Sequence, residues 1–253
     1  MNPLAVASIV LGCSFGSALV GMVLHVKLPD THLDADSRDV VKLVMGLIAT
    51  MAALVLGLLI ASANTSYDRQ SSELRALSAD VILMDRTLEF YGPDAKDLRD
   101  RLHNDVRRTH DSIWSNEGVR PENLDSTKTR ASVLAFENEM RHLAPKTDAE
   151  RAMQARAMQE SERIEQARLL MFEQLGGSIS GPFLAVLVFW LTVLFLGFGL
   201  FARFNATVTV ALLVGAVSVA GAIFLILELS EPYGGLMRIS DAPLRNAIMQ
   251  IDQ

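Results

Sequence analysis

The stretch LVMGLIATMAALVLGLLIASA, Leu43–Ala63, contains no Asp, Glu, Lys or Arg. At ~1.5 Å of rise per residue, a helix of ~20 apolar residues crosses the ~30 Å hydrocarbon core of a bilayer. Three further runs share its length and its lack of charge: Leu4–Leu24, Phe183–Ala202 and Ala206–Leu227. Backbone N–H and C=O groups inside hydrocarbon must be satisfied within their own segment, so runs of this kind form helices. The expected fold class is therefore all-α: a polytopic membrane protein with four transmembrane helices and a helical polar domain between spans two and three.

Outward from these runs, charge marks the other boundaries. Most charged residues lie between Asn64 and Gly181. The chain divides into 1–63, two spans joined by a short acidic loop; 64–181, a helical cytosolic domain; 182–230, a hairpin of the third and fourth spans; and 231–253, a cytosolic C-terminal tail. A net charge of −6 argues against nucleic acid, which requires a basic face. The one cysteine, Cys13, excludes an internal disulfide framework. The first run has no basic residues ahead of it and is read as a retained helix rather than a cleaved signal peptide.

Four spans put both termini and the polar domain on one side of a multi-pass protein of the cell membrane. Arg69, Arg75, Arg163, Arg168, Arg238 and Arg245 lie near the membrane on that side, against Lys27, Arg38, Lys42 and Arg203 on the other. The positive-inside rule then predicts cytoplasmic termini. Asp30, Asp34, Asp36 and Asp39 make the first loop acidic, in keeping with an external position.

In the polar domain, Leu74, Leu77, Val81, Met84, Leu88 and Tyr91 recur at 3-4-3-4-3 spacing. This is a heptad seam that continues from the second span without an intervening Pro or Gly. It serves either to pack the helices of one chain together or to join subunits. Gly92-Pro93 stops the helix, and a second helix starts near Asp94 with Leu98, Leu102, Val106 and Ile113 on one face. Ser115–Thr127 reads as a loop and Arg130–Leu143 as a third helix. Thr147-Asp148-Ala149-Glu150 is a capping box that opens a fourth helix, which ends near Leu175 at Gly176-Gly177. Pro182 suits the first turn of the third span, where a missing N–H costs nothing. His103 and His110 fall seven residues apart on one face, but no Cys or further His supplies ligands at a recognised spacing, so they read as solvated histidines. No metal, cofactor or catalytic residue is expected, because nothing places a nucleophile beside a base.

Stripes of small residues run along three spans: Ala5, Ser8, Gly12 and Gly16; Gly46, Thr50, Ala53, Gly57 and Ala61; and Ala211, Gly215, Ser218 and Ala222. Lipid offers no hydrophobic drive for helices to associate, so close backbone contact is what such stripes allow. Gly12, Gly16, Gly215, Ser218 and Ala222 are assigned to helix packing. The second-span stripe also suits the wall of a pore, since it carries Thr50 and leads into the heptad helix. Lys42 and Arg203 at one end, with Glu228 and Glu231 at the other, are candidates for the pore mouths; interfacial anchoring is the alternative for each. No charge lies deep within a span, which lowers the weight of ion-coupled transporters.

Phe198-Gly199-Leu200-Phe201, Arg203-Phe204-Asn205-Ala206-Thr207, Phe224-Leu225-Ile226-Leu227-Glu228 and Pro232-Tyr233-Gly234-Gly235-Leu236 resemble the last third of the bacterial bestrophin-like domain family. Tyr91-Gly92-Pro93-Asp94 is similar to its middle section. The resemblance implies a four-span topology like that of pentameric anion channels of the bestrophin type. True bestrophins line their pore neck with bulky apolar and aromatic side chains from the second span, whereas Leu43–Ala63 has no aromatic residue. They also carry a dense acidic calcium clasp that this chain lacks. The leading expectation is a homo-oligomer in the lipid bilayer with a channel-like pore along the second span, passing monovalent anions. The competing expectation is a non-conducting membrane scaffold or sensor whose cytosolic helices bind a protein partner.

Overall fold

The computed structural model describes residues 2–27, 35–114, 127–175, 181–202 and 204–252. All regular structure among them is helical: α1 (Pro3–Lys27), α2 (Ala35–Tyr91), a single 3-10 turn (Pro93–Ala95), α3 (Lys96–Trp114), α4 (Thr127–His142), α5 (Asp148–Leu175), α6 (Gly181–Phe201), α7 (Ala206–Leu229) and α8 (Ala242–Ile251). Helices α1, α6 and α7 and the first part of α2 hold the four uncharged runs, and each is long and apolar enough to cross a membrane. The chain is an all-α polytopic membrane protein. It forms two compact units: residues 1–66 with 178–230, and residues 67–177 with 231–253.

In the membrane unit, α1 packs against α6 and α7. At the crossing with α6, a Cβ on Gly21 would lie 2.2 Å from the Leu196 carbonyl oxygen, and one on Gly199 would lie 2.0 Å from that of Ala18. The two backbones touch, so hydrogen is the largest side chain that fits at either glycine. Val10, Met45, Ala52, Leu187, Leu191, Ala220 and Ile223 belong to the cluster that fills the unit. At the start of α7, Asn205 adopts an extended conformation and its side chain accepts a bond from the Thr207 N–H, 3.2 Å away. That bond satisfies one of the backbone donors a helix start leaves free.

The helical unit is built on the heptad seam. Leu74, Leu77, Val81, Met84, Leu88 and Tyr91 are all buried. Leu74 and Leu77 pack with Ile113, Met171, Tyr233 and Ile239. The later seam residues pack with Leu98, Leu102, Val106, Phe136, Met140 and Leu244. The seam therefore serves packing within one chain. The capping box forms as expected: Glu150 N–H donates to Thr147 Oγ1 (3.1 Å), and Thr147 N–H donates to Glu150 Oε2 (3.3 Å).

The segment 231–253, expected as a tail, belongs to this unit's core. Leu244, Ala247 and Ile251 form a buried stripe along α8, and α8 packs on α3. Trp114 Nε1 donates to the Ile239 carbonyl (3.1 Å), and its ring meets Tyr233 edge-on with centroids 6.3 Å apart. The 3-4 apolar spacing of so short a helix gains stability only from what it covers, which explains why composition alone read it as a tail. The loop assigned to Ser115–Thr127 and the Gly176-Gly177 stop lie outside the described residues, apart from Thr127 at the start of α4.

Candidate functional site

The first half of α2 is the least covered of the apolar segments: 11 % of its most apolar stretch is buried, against 28–39 % for the other three. Met45 and Ala52 mark the covered side. Gly46, Thr50, Ala53, Gly57 and Ala61 are all exposed. Thr50 Oγ1 donates to the Leu47 carbonyl one turn back (2.8 Å), so its outward side presents mainly a methyl group. Leu43, Leu47, Leu54 and Leu58 are exposed as well. At ~100° per residue these leucines form a second uncovered face, centred roughly 70° around the helix from the small one.

Lys42 sits one turn before Gly46, its Nζ 3.3 Å from Asp39. Lys42, Met45, Gly46, Gly197 and Phe201 share a largely apolar recess of about 360 Å³ between α2 and α6. The guanidinium of Arg38 lies 5.7 Å from the centre of the Phe201 ring, a cation–π contact at the same end. Arg203 lies outside the described residues. At the far end of α7, Glu228 is buried and Glu231 is exposed.

Among the described residues nothing lies within 4 Å of where a Cβ would stand on Gly12 or Gly16, so neither is at a helix contact with them. The contact falls instead on Gly21 and Gly199, which the spacing of small residues did not single out. Gly215 is in ordinary contact with the Phe195 ring, 3.6 Å away. Ser218 is exposed and bonds to the Val214 carbonyl (2.8 Å), while Ala222 is partly covered.

A second polar centre, in the helical unit, was not expected. Asp85, 3 % exposed, lies between Met84 and Leu88 of the seam. It accepts from Arg99 Nε (2.7 Å) and Nη2 (2.9 Å), and pairs with His103 Nε2 (2.6 Å). Burial alone would raise its pKa, but the bonds to Arg99 and His103 outweigh this and hold the carboxyl below its ordinary value. Arg107 Nη2 reaches Asp252, just past α8, at 2.6 Å. Lys96, Arg99, His103, Arg107 and Asp252 line an open cleft of about 630 Å³. His110 lies 3.1 Å from Asp111 and 3.5 Å from Asp241, and stacks on Trp114 at 5.5 Å. Both histidines are thus largely covered and carboxylate-bound, not solvated. No metal-sized group of three His, Cys, Asp or Glu occurs among the described residues.

The sequence matches the family model of the Bestrophin-like domain across residues 12–244. The chain belongs to that family. Crystal structures of variants of a bacterial bestrophin homologue from Klebsiella pneumoniae share its fold. One superposes with a TM-score of 0.71 at 10 % identity, covering 96 % of each chain. Another gives 0.70 at 12 % identity, covering 99 % of this chain and 97 % of the other. A third gives 0.68 at 13 % identity over 96 % and 94 %. No curated protein matches the sequence.

In this bestrophin-like chain the family-like motifs mark two turns. Gly92 of Tyr91-Gly92-Pro93-Asp94 has φ of 110°, and Gly235 of Pro232-Tyr233-Gly234-Gly235-Leu236 has φ of 66°, values that side chains with a Cβ rarely adopt. The first turns α2 into α3 and so brings Arg99 and His103 back onto Asp85. The second follows the turn in which Gly234 N–H donates to the Glu231 carbonyl (3.0 Å), and Ile239 N–H then bonds back to Pro232 (2.6 Å). The signal for the Asp85 centre was an acid flanked by seam residues, followed by a basic pair, Arg99 and His103, at i,i+4 spacing on the next helix.

Proposed function

We propose that this bestrophin-like protein is an oligomeric membrane channel whose pore runs along the small face of α2 and passes monovalent anions. The observation that carries the reading is that α2 has two adjacent uncovered faces of opposite character. Large leucines gain from lipid or from a packed neighbour. A line of Gly, Thr and Ala gains little from lipid and leaves room beside it for an ion and its water. A helix with both faces suits a position around an axis, the small face inward and the leucine face against adjoining elements. Family membership supports the same arrangement.

Lys42 stands at one end of the small face. Repeated by symmetry it forms a positive ring that favours anions, and Arg203 is assigned to the same mouth from its place in the sequence alone. Glu228 and Glu231 belong to the opposite mouth, on the side of the termini, which the arginine bias puts in the cytoplasm. The absence of aromatic residues from Leu43–Ala63 gives this pore a wall of small side chains rather than a bulky neck.

Chloride efflux from liposomes that contain the purified protein tests the proposal. A leak is expected, and Thr50→Trp is expected to abolish it while the elution volume of the protein stays unchanged. A stable monomer in mild detergent, or no leak across a range of voltage, pH and calcium, would overturn the channel reading in favour of the scaffold.

A further inference from the structure

The recess between α2 and α6, about 360 Å³, has a floor of glycine and walls of apolar side chains. Among the described residues nothing stands within 4 Å of where a Cβ would lie on Gly46. A Cβ on Gly197 would lie 2.5 Å from Met45 Sδ, so α2 and α6 come close together at the base of the recess. Phe198, 47 % exposed, lines it from α6. An apolar cavity of ~150 Å³ admits benzene, so a recess of this size has room for two aliphatic side chains.

The same helix carries two such side chains at the same depth. Leu43 and Leu47, one turn apart, are 76 % and 61 % exposed. At ~100° per residue, Lys42, Met45 and Ala49 of the recess lie to one side of the small face, and Leu43 and Leu47 lie to the other. Within one chain these leucines therefore turn away from the recess. Rotating one copy onto the next about an axis along the membrane normal keeps every residue at its own depth. Leu43 and Leu47 of one copy then stand level with Lys42–Ala49 of the next. A projection on one flank and a hollow on the other suit a head-to-tail contact, which closes into a ring. A two-fold contact would set leucine against leucine or hollow against hollow, and neither patch complements itself. Leucine gains nothing merely by leaving lipid, but a glycine floor allows the close packing that drives helix association in a bilayer.

We infer that Leu43 and Leu47 of one copy seat in the α2–α6 recess of the next, over Gly46 and beside Phe198, and so join the chains head to tail in a closed ring. The small face lies between the two flanks and is thereby turned toward the axis. The inference rests on the oligomer of the channel reading and names the surface that builds it; it does not depend on conduction.

Cysteine cross-linking of the full-length protein in its native membrane tests this. Cys13, the one cysteine, is first replaced by Cys13→Ser. Leu47→Cys and Phe198→Cys are then combined in one chain, oxidised with copper phenanthroline and run on a non-reducing gel. A ladder that continues beyond the dimer is expected, at least tenfold stronger than in either single variant, because in a ring neither two projections nor two hollows meet. Leu43→Cys with Ala49→Cys is a second pair that leaves α6 intact and decides the matter if Phe198→Cys fails to fold. Monomer alone from both pairs would overturn the inference and leave the recess to lipid chains. Dimers from Leu47→Cys alone would overturn it too, by showing a two-fold contact. A ladder without chloride leak keeps the ring and sinks the channel; a leak without a ladder keeps the channel and sinks this interface.

Discussion

Leu43, Leu47, Leu54 and Leu58 on the first half of α2 are 61–76 % exposed, whereas Leu74, Leu77, Met84 and Leu88 on its second half are 0–5 % exposed. The same helix, with the same kind of side chain, follows two opposite rules. In water an exposed leucine forfeits burial worth about 1.5–3 kcal/mol, so the second half must cover its seam with α3, α4, α5 and α8. In lipid there is no such term. The membrane unit joins its helices instead by bringing backbones together, as at Gly21 and Gly199, and leaves its leucines outward. The difference teaches that burial identifies the core of the helical unit but not the working surface of the membrane unit, where the informative side chains are the smallest.

The sharpest way to break this contrast is to place a side chain where two backbones touch. Gly199→Leu would drive its Cβ against the Ala18 carbonyl, a clash of backbone with no flexible neighbour to yield. The expected loss exceeds about 3 kcal/mol, and the folded, monodisperse species should vanish from size-exclusion chromatography. Gly16→Leu has open space within the chain and should leave that species in place. If Gly16→Leu proves equally destructive, α1 meets a second subunit there, and its Gly12–Gly16 stripe regains the packing role its spacing suggested.

Truncating a leucine in each half of α2 tests the comparison directly. Leu74→Ala should cost about 3–4 kcal/mol, the sum of lost burial and the cavity left behind. Leu54→Ala should cost less than about 0.5 kcal/mol within one chain. The apparent melting temperature of the protein in detergent reads both. A Leu54→Ala loss as large as that of Leu74→Ala would mean the leucine face of α2 is covered by a neighbouring subunit.

Much of this contrast was legible before any coordinates. The four spans follow from uncharged length, and the heptad from 3-4 spacing, because both are periodic along one segment. Gly21 and Gly199 were not, because a helix crossing depends on two segments and an angle. The GxxxG at Gly12 and Gly16 is the more conspicuous pattern, yet it has no partner among the described residues. The Asp85 centre was missed for a related reason. Its partners lie 14 and 18 residues on, across the Gly92 turn, and only the folded chain shows that the turn returns them to the same point.

Asp85 sharpens the comparison from the polar side: it is buried in mid-seam, whereas the buried carboxylate of the membrane unit, Glu228, lies at the end of α7 beyond the apolar run. Asp85→Asn removes the charge from beneath Arg99 and His103 and should cost about 2–3 kcal/mol; Arg99 is 28 % exposed, which holds the loss near the low end for a buried pair. The pH dependence follows from the direction of its shift. The folded pKa lies below the ordinary 3.8, so between the two values the unfolded chain binds more protons than the folded one. The stabilisation is fully present above the ordinary value and is lost as pH falls through the folded one. Melting curves taken from about pH 5 down to about pH 2 should show that decline in the wild type and a flatter limb in Asp85→Asn. Equal slopes would show that Asp85 does not carry the acid sensitivity of the unit.

The smallest effect comes from a chemistry both units share. Thr147 caps α5 in the helical unit, and Asn205 caps α7 in the membrane unit, each accepting from a backbone N–H near the helix start. Thr147→Ala should lower stability by about 1 kcal/mol, because water takes over the freed N–H. Asn205 lies beside Phe204, 74 % exposed, in the turn before a span. If that turn lies at the water interface, Asn205→Ala costs the same ~1 kcal/mol as its counterpart. That is the expected result, since Asn205 is itself exposed and stands one residue outside the apolar run. A loss several times larger than that of Thr147→Ala would mean that hydrocarbon covers the start of α7, where an unsatisfied N–H has no water to turn to. The two caps, alike in sequence logic, thus measure where the solvent changes along the chain, and with it where the rule for burying a leucine changes.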